Sequence, residues 1–328
     1  MRKASESSRR QRASAFARAS IVLLALTPFL FAETPGSNEV IGSDFFLVAE
    51  NSASESALQK QIREIASDAR GKVSVACSLP KSALNCDLDP HAHPPMQSVF
   101  KLPLAIAVLH QVERGALSLD QPIRFLPEDR IPHAYSPLQD KYPEAGVDVP
   151  LRQLLQMTVS LSDNVAADIL LRIAHGPDAV GDYIASLGVT GLHLQDGERA
   201  LHQDASVQYR NWFEPAGAVQ LLRRISDDSP LTRVHTDLLL SWMEESRLTD
   251  RLKGDLPPGT RVAHKAGTSD VDNGVAHATN DIGLITLRDG RRLAIAVFVT
   301  DSLADETMRK KVIARIARAA YDASSGAR

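Results

Sequence analysis

Residues 98–113 read SVFKLPLAIAVLHQVE, and they indicate the fold more clearly than other segments of the chain do. Every residue from Leu102 to Leu109 is apolar, which predicts a helix that is buried on all sides. Ser98 and Lys101 stand at its start with i, i+3 spacing, so that a hydroxyl and an amine share one face. A serine hydroxyl needs a nearby base to become a nucleophile, and a lysine serves only where burial or positive neighbours lower its pKa. The helix N-terminus also offers backbone N–H groups to a developing oxyanion.

The same four-residue pattern occurs a second time, in Ser78-Leu79-Pro80-Lys81. Serine followed by lysine at this spacing is expected about once by chance in a chain of this length, so the spacing alone selects neither pair. The second segment contains a proline, sits at the predicted end of a strand and precedes no apolar helix. We therefore interpret Ser78 and Lys81 as turn residues and Ser98 as the candidate nucleophile.

Strands are predicted at both ends of the chain and helices between them. Leu58, Ile62 and Ile65 have helical spacing in a segment that ends near Arg70. Strands are predicted at residues 72–79, 85–88, 261–265, 282–287 and 293–300, with a hairpin turn at Asp289-Gly290 before the last one. Helices are predicted at residues 102–111, 151–157, 165–173 and 215–225, and a further one near the C-terminus.

This order predicts an α+β fold. Strands from both chain ends form a five-stranded antiparallel sheet flanked by the N- and C-terminal helices, and the middle of the chain forms an all-helical lobe. The predicted divisions are an α/β lobe from residues 33–97 and 246–328 and a helical lobe from residues 98–245. A functional site is expected in the cleft between two such lobes.

Residues 1–32 have the pattern of a cleaved signal peptide. Six basic residues and one acidic residue precede or flank the apolar run 21–32, which is too short to span a bilayer. Their removal would leave 31 of the 37 basic and 39 of the 40 acidic residues, a net charge of −8. An acidic chain without basic clusters argues against nucleic acid and anionic membranes as partners. We therefore expect a periplasmic or secreted monomer.

Cys77 and Cys86 are the only cysteines. They fall in two neighbouring extended segments of a protein predicted to be exported, where disulfides persist. A bridge and two unpaired buried thiols are both compatible with the sequence, because pairing depends on a strand register that the sequence does not define.

Two further tripeptides bear polar groups. Ser162-Asp163-Asn164 lies between helical segments, where it is either a helix N-cap or a pair of groups that face a substrate. Lys265-Ala266-Gly267-Thr268 ends a strand. A lysine there either is solvated on an edge strand or holds a substrate carboxylate, while Gly267 permits close approach and the Thr268 N–H completes an oxyanion hole with that of Ser98.

Order and spacing of the three motifs match the S-x-x-K, S-D-N and K-T-G set of class A β-lactamases and penicillin-binding proteins. The chain around them, for instance in SVFKLPLAIAVLHQVERGALSLDQPI and NDIGLITL, strongly resembles class A β-lactamases. The resemblance is greatest to the branch with the extended-spectrum PER enzymes and the Bacteroides cephalosporinases. It implies Ser98 as nucleophile, Lys101 as its partner, Ser162 as proton relay, and Asn164, Lys265, Gly267 and Thr268 as substrate-binding residues.

The resemblance also directs attention to Glu198. Residues 198–202 (ERALH) fall where the family's omega loop carries E-x-x-L-N, and that glutamate activates the water that hydrolyses the acyl-enzyme. His202 replaces the asparagine, as in the branch just named. Arg251 matches an arginine that helps to bind the substrate carboxylate in some members, with a solvated helix-end arginine as the alternative. Tyr135 resembles the aromatic wall of the cleft mouth, with ordinary packing as the alternative.

One position departs from the family pattern. Ala266 stands where the family has a threonine or serine whose hydroxyl contacts the β-lactam carboxylate, and its loss weakens substrate binding by about 1.5–3 kcal/mol. Thr268 or Ser269 is expected to compensate in part. His91-Ala92-His93 has a zinc-like spacing without the other ligands, so we interpret it as a pair of loop histidines and expect no metal.

The resulting expectation is a serine β-lactamase, a hydrolase of cyclic amide C–N bonds that needs no cofactor and takes a small β-lactam as its partner. Two alternatives stay open at this point. A D,D-peptidase or penicillin-binding protein shares the three motifs but has no glutamate at the position that Glu198 occupies here. A β-lactam-binding protein with weak turnover would explain Ala266 and His202.

Overall fold

The computed structural model describes residues 55–203 and 205–326. The predicted signal peptide, residues 1–32, lies outside this range. The helices are α1 (Ala57–Ser67), α2 (Lys101–Glu113), α3 (Pro137–Lys141), α4 (Leu151–Ser160), α5 (Asn164–Ile173), α6 (Pro177–Ser186), α7 (Glu198–Gln203), α8 (Pro215–Asp227), α9 (Arg233–Glu244) and α10 (Glu306–Gly326). The strands are β1 (Lys72–Ser78), β2 (Pro122–Phe125), β3 (Val147–Pro150), β4 (Leu192–His193), β5 (Trp212–Phe213), β6 (Val262–Thr268), β7 (Val271–Asp272), β8 (Val275–Thr286) and β9 (Arg292–Ser302).

The main sheet is antiparallel and has five strands, as the sequence predicts. Its order is β1-β9-β8-β6, and β7 pairs with β8 beyond the end of β6. β8 and β9 form the long central hairpin, in which Ala276 faces Ser302 and Thr286 faces Arg292. The polypeptide therefore brings β1 from its beginning into one sheet with strands from its last quarter.

One predicted strand is wrong. Residues 85–88 contribute only an isolated bridge between Val75 and Leu88, and β7 is the fifth strand instead. The loop that holds this bridge uses side chains as hydrogen-bond partners, because Ser82 Oγ accepts from the Leu84 N–H and Asn85 Oδ1 accepts from the Asp87 N–H. Backbone amides that bond to nearby side chains are not available for a ladder.

Alternation along the strands buries both faces of the sheet. Ala294, Ala296 and Phe298 of β9 pack into a cluster with the helices of the middle of the chain. Ile295, Val297 and their neighbours at odd positions pack against α1 and α10 on the other face. Because side chains of a strand alternate between faces, one apolar strand serves two cores.

Helix α2 is the centre of the first core. All nine residues from Lys101 to Leu109 are buried, so the helix is surrounded as its composition predicts. The 3₁₀ turn Gln97–Phe100 runs directly into it, and this turn lies beside strand β6. The joint between the buried helix and the sheet therefore carries the first candidate motif.

A disulfide joins Cys77 and Cys86, which resolves the question that the sequence left open. It closes the loop that follows β1 and contains Ser78 and Lys81. Among the helices of residues 55–326 that the structure describes, none has the length and apolar character to cross a membrane.

Candidate active site

Ser98 lies in the 3₁₀ turn Gln97–Phe100, which directly precedes the buried helix α2. The turn is held from two sides. Asn280 donates its side-chain amide to Pro95 O at 2.8 Å, and the Met96 N–H donates to Asn211 O at 3.0 Å. Gln97 has a φ of 48°, in the left-handed region that residues other than glycine rarely occupy. The backbone conformation that presents the Ser98 hydroxyl is thus maintained by contacts with β8 and with the segment before α8.

Lys101 is fully buried and links the predicted groups to one another. Its Nζ donates to Ser98 Oγ at 2.9 Å, to Ser162 O at 2.8 Å and to Asn164 Oδ1 at 2.6 Å. It also forms an ion pair with Glu198 Oε1 at 2.8 Å. A buried charge is tolerated only where it is paired and hydrogen-bonded, and Lys101 satisfies both conditions.

Glu198 is 3% exposed and belongs to the same cluster. Its Oε1 lies 3.3 Å from Ser98 Oγ, which donates to it. It begins the short helix α7, and the half-buried carboxylate of Asp168 holds this start by accepting from the N–H groups of Glu198 at 2.7 Å and Arg199 at 2.9 Å. Burial raises the pKa of Asp168. Sequence reasoning missed Asp168, because an aspartate inside a helix gives no signal that its partner is a loop 30 residues later.

The Ser162-Asp163-Asn164 tripeptide caps a helix and also places two polar side chains at the cleft. Asp163 caps α5 by accepting from the Ala166 N–H, and it also accepts from Ser136 Oγ and from the Leu138 N–H. Burial raises the pKa of Asp163. Ser162, with a φ of 59°, turns out of the helix toward the cluster, and Asn164 contacts Lys101. The central residue therefore builds the helix end while its neighbours face the cleft.

Strand β6 supplies the opposite wall. Lys265 is buried, and its Nζ donates to Ser162 Oγ at 2.9 Å. Burial, reinforced by the neighbouring Lys101 ammonium, holds the pKa of Lys265 well below its usual range. Gly267 packs against the nucleophile turn so closely that a Cβ there would overlap Met96 O and lie 3.3 Å from Ser98 N. Only glycine allows the strand to approach at this position.

Arg251 is buried, so its interpretation as a solvated arginine at a helix end is wrong. Its guanidinium donates to Gly267 O at 3.0 Å, to Asn280 O at 2.7 Å and to Thr268 Oγ1 at 2.6 Å. It therefore lies behind the end of β6 and orients the Thr268 hydroxyl. Its positive charge acts on the cleft, because it contributes to the lowered pKa of Lys265.

Tyr135 and His202 lie at the mouth of the cleft. The Tyr135 side chain is 57% exposed, so it does not pack in a core, and its carbonyl accepts from the Asn164 N–H at 3.1 Å. His202 lies 3.4 Å from the Asn164 side-chain amide through Nε2, and its Nδ1 is 2.8 Å from Glu198 O. His202 thus lies between Asn164 and Glu198 and contacts both of them. His91 and His93 lie elsewhere, each beside a carboxylate oxygen of Glu214.

Two cavities meet at Ser98, with volumes of about 290 and 530 Å³. Ser98, Tyr135, Asn164 and Thr268 line both of them. The smaller cavity also contains Lys265 and Ala266, and the larger one contains Glu198 and His202. All of the candidate site residues except Lys101, Gly267 and Arg251 thus line the cleft, and those three lie directly behind it. A hydroxyl, carboxylate, two lysines and an open cleft are the components of nucleophilic acyl transfer.

Residues 57–324 match the model of the β-lactamase enzyme family. The chain belongs to this family. It is 41% identical over 273 residues to the extended-spectrum β-lactamase PER-1 of Pseudomonas aeruginosa, an alignment that covers 83% of this chain and 89% of the relative.

Solved structures agree with this membership. A β-lactamase from Chitinophaga pinensis is 43% identical with a TM-score of 0.79, over 82% of this chain and 100% of that one. A class A β-lactamase from Bacteroides cellulosilyticus is 32% identical with a TM-score of 0.76, over 81% and 96% of the two chains. The predicted α+β fold and the predicted class A serine β-lactamase family are therefore confirmed.

Proposed function

We propose that the protein hydrolyses β-lactam antibiotics through an acyl-enzyme on Ser98 that a water activated by Glu198 removes. One observation carries the proposal: the buried Glu198 carboxylate lies 3.3 Å from the Ser98 hydroxyl and 2.8 Å from Lys101 Nζ. A carboxylate at this place can act on the nucleophile and afterwards on a water that attacks its ester.

Acylation begins with loss of the Ser98 proton. Lys101 Nζ donates to Ser98 Oγ, and Ser98 Oγ in turn donates to Glu198 Oε1. This direction of hydrogen bonding supports Glu198 as the acceptor of the proton, directly or through a water, with Lys101 stabilising the alkoxide that forms. The Ser98 oxygen then attacks the lactam carbonyl, whose oxygen would lie between the backbone N–H groups of Ser98 and Thr268.

Opening of the lactam requires a proton on the departing nitrogen. Ser162 Oγ lies 2.9 Å from Lys265 Nζ and 3.5 Å from Lys101 Nζ, between two cations. Their field favours loss of the Ser162 proton, which makes this hydroxyl a suitable donor to the lactam nitrogen. The proton that it gives up is replaced from Lys101, which in turn takes up the proton that Glu198 received from Ser98, so Glu198 is again a carboxylate before deacylation.

Deacylation reverses these roles. A water beside Glu198 loses a proton to the carboxylate and attacks the ester carbonyl, and the Ser98 oxygen leaves as a hydroxyl after it regains a proton. Asp168 contributes indirectly, because it holds the backbone at Glu198 and so maintains the carboxylate near Ser98.

The substrate would be held on both sides of Ser98. Lys265 and the Thr268 hydroxyl, oriented by Arg251, form the carboxylate site, to which Ala266 adds no hydroxyl. Asn164 is available for the substrate amide, while Tyr135 and His202 border the entrance. Hydrolysis then depends on Glu198, and a D,D-peptidase would not require a carboxylate there.

The remaining sequence predictions form part of the proposal. A signal peptide at residues 1–32 would export a monomer to the periplasm. The division into an α/β lobe, residues 33–97 and 246–328, and a helical lobe, residues 98–245, is supported by the two separate apolar clusters on the faces of the sheet.

The test is steady-state hydrolysis of nitrocefin together with mass spectrometry of Ser98. Wild type should turn over nitrocefin, whereas Glu198→Gln should acylate more slowly, with Lys101 left as the only nearby base, and should then retain the acyl group, with deacylation slower by at least about a hundredfold. Glu144→Gln changes an exposed glutamate and should behave as wild type.

Equal turnover by wild type and Glu198→Gln would contradict the assigned role of Glu198. A wild-type protein that keeps its acyl group as long as the variant does would instead favour a penicillin-binding protein or a binding protein with weak turnover.

A further inference from the structure

Two buried cations at the cleft have no carboxylate bound to them. The hydrogen bonds of Lys265 Nζ go to neutral oxygens, those of Ser162 and Ala266, at 2.9 and 2.8 Å. Arg251 likewise donates to two backbone carbonyls and to the Thr268 hydroxyl. Across the part of the chain that the structure describes, neither side chain forms an ion pair. Because a buried charge is costly unless it is balanced, a negative group close behind them is expected.

Asp281 of strand β8 supplies such a group, and it is fully buried. In the register of the sheet it faces Ala266, which directly follows Lys265. Its Oδ2 also accepts from the Leu252 N–H at 3.2 Å, and Leu252 directly follows Arg251. The carboxylate is therefore adjacent to the chain neighbours of both cations.

His264 holds this carboxylate in place. The ring is 1% exposed, and its Nδ1 lies 2.9 Å from both oxygens of Asp281. An ionised carboxylate only accepts hydrogen bonds, so the ring donates through Nδ1, and this donor favours the ionised form of Asp281. Because successive side chains of a strand point to opposite faces, His264 lies behind β6 while the next residue, Lys265, faces the cleft.

Further charged groups act on this cluster from the elements packed around it. They are Lys101 of α2, Glu198 of α7, Asp250 next to Arg251, and Glu306 and Arg309 of α10. The acid in the cleft is paired with Lys101, and the other two acids share Lys310 at the surface. Arg309 adds another buried cation whose hydrogen bonds go to neutral oxygens. Asp281 is therefore the buried acid whose charge is available to Lys265 and Arg251.

We propose that Asp281, held by a neutral His264 ring, keeps Lys265 protonated at neutral pH, so that the ammonium binds the substrate carboxylate. This inference rests on the proposed function. Asp281 and His264 are positioning residues, because neither of them lines the two cavities at Ser98 and both act through Lys265.

The sign of the effect follows from the surroundings of Lys265. Burial, reinforced by Lys101, holds the pKa of Lys265 well below its usual range, and the Asp281 carboxylate acts in the opposite direction. The ammonium is present below this pKa and is lost as the pH rises through it. Removal of the charge at Asp281 lowers the pKa further, so the ammonium is lost at a lower pH. In acid Lys265 is protonated with or without Asp281, and binding there should be nearly unchanged.

The experiment measures the Kd of benzylpenicillin for the unreactive Ser98→Ala protein as a function of pH. Adding Asp281→Asn should move the rise in Kd to lower pH by about one unit, because loss of one neighbouring charge in a buried site changes a protonation equilibrium about tenfold. His264→Leu should move it in the same direction. His264→Asn should not, since its amide is a neutral donor of similar reach to Nδ1. Asp182→Asn, on the exposed side of α6, is the matched control and should leave the profile unchanged.

A second background separates Lys265 from the other groups that titrate in the cleft. With Lys265→Arg added, Asp281→Asn should no longer move the profile, because a guanidinium stays charged. A shift that persists in this background would arise from Lys101 or Glu198 and would overturn the inference.

Two other outcomes would also overturn it. One is an Asp281→Asn profile that coincides with that of Ser98→Ala alone, and the other is binding weakened equally at every pH, as a structural defect would produce. If Asp281→Asn does not fold, the two His264 variants decide, and equal profiles for His264→Leu and His264→Asn would overturn the inference. A protein with Ser98 intact that hydrolyses no β-lactam at any pH would instead overturn the proposed function, while the binding profiles still test the pair.

Discussion

The chain contains Ser-x-x-Lys twice, and the two copies have opposite surroundings. At Ser98-Lys101 the amine is buried and lies 2.9 Å from the hydroxyl. At Ser78-Lys81 the serine ends β1 and the lysine is exposed with a φ of 57°, beyond Pro80. In the first copy a helix imposes the i, i+3 geometry, and in the second a turn separates the two residues.

Cavity size does not distinguish the copies. Ser78 lines a groove of about 480 Å³ along α8, which is comparable to the larger of the two cavities at Ser98. What Ser98 has in addition is a buried cation and a buried carboxylate within hydrogen-bond distance. A nucleophilic serine is therefore marked by buried, paired charges beside its hydroxyl. Neither the Ser-x-x-Lys spacing nor a neighbouring cavity distinguishes it.

Replacement of each serine tests this difference most strongly. Ser98→Ala should lower kcat for nitrocefin by about a thousandfold or more and abolish covalent labelling, because it removes the oxygen that attacks the lactam carbonyl. Ser78→Ala should keep both within a factor of about two. Substantial labelling of Ser98→Ala at position 78 would break the comparison.

Ala266→Ser tests the wall of the cleft that strand β6 forms. The 78–81 segment has no corresponding wall. A hydroxyl at 266 should add one charge-assisted hydrogen bond to the substrate carboxylate and lower KM by about tenfold. The same β-lactam with its carboxylate esterified provides the control, since its KM should not improve. An equal gain for the ester would show that the added hydroxyl acts in another way.

Burial of the cations should appear in the pH dependence of binding. Because burial lowers the pKa of Lys265, its ammonium loses the proton at a lower pH than an exposed lysine does, and the attraction for the substrate carboxylate is lost as pH rises. The Kd of unreactive Ser98→Ala for a penicillin should therefore increase as the pH rises. This increase should begin at a pH lower than the usual lysine pKa of about 10. Adding Lys265→Arg should flatten this increase, because a guanidinium stays charged, whereas adding Lys81→Arg should not alter it.

The smallest effect on activity is expected from the disulfide around the second copy. Cys77→Ser with Cys86→Ser should lower the free energy of unfolding by about 2–3 kcal/mol, seen as a lower Tm, because the closed loop restricts the unfolded chain. Nitrocefin turnover at 25 °C should remain that of wild type. A large loss of kcat without a change in Tm would mean that this loop contributes to the active site.

The sequence predicts the motif residues well because each has a local reason. A wholly apolar helix places Ser98 and Lys101, and the family pattern places Ser162, Asn164 and Lys265. The contacts between distant segments are not predictable in this way. Asp168 and Arg251 act through backbone groups 30 and 16 residues away, and nothing in their neighbours along the chain indicates it.

The sheet gives one counterexample. Sequence reasoning missed the β7–β8 hairpin, although Asn273-Gly274 is a pair typical of type I′ turns. The strand expected at residues 85–88 has alternating apolar residues, yet the Asp87 N–H donates to the Asn85 side chain and only Leu88 bridges to β1. At this edge of the sheet the turn residues carry more information than the hydrophobic alternation from which residues 85–88 were predicted to be a strand.

Gly267 has a consequence for the assembly of the enzyme. The nucleophile turn is held by β6, which packs on it at Gly267, and by Asn280, which donates to Pro95 from 185 residues further along the chain. Contacts between such distant segments form slowly, because a large loop must close first. The active site is therefore completed among the last steps of folding. A chain that lacks its final strands would carry every residue of the Ser98 motif and remain inert.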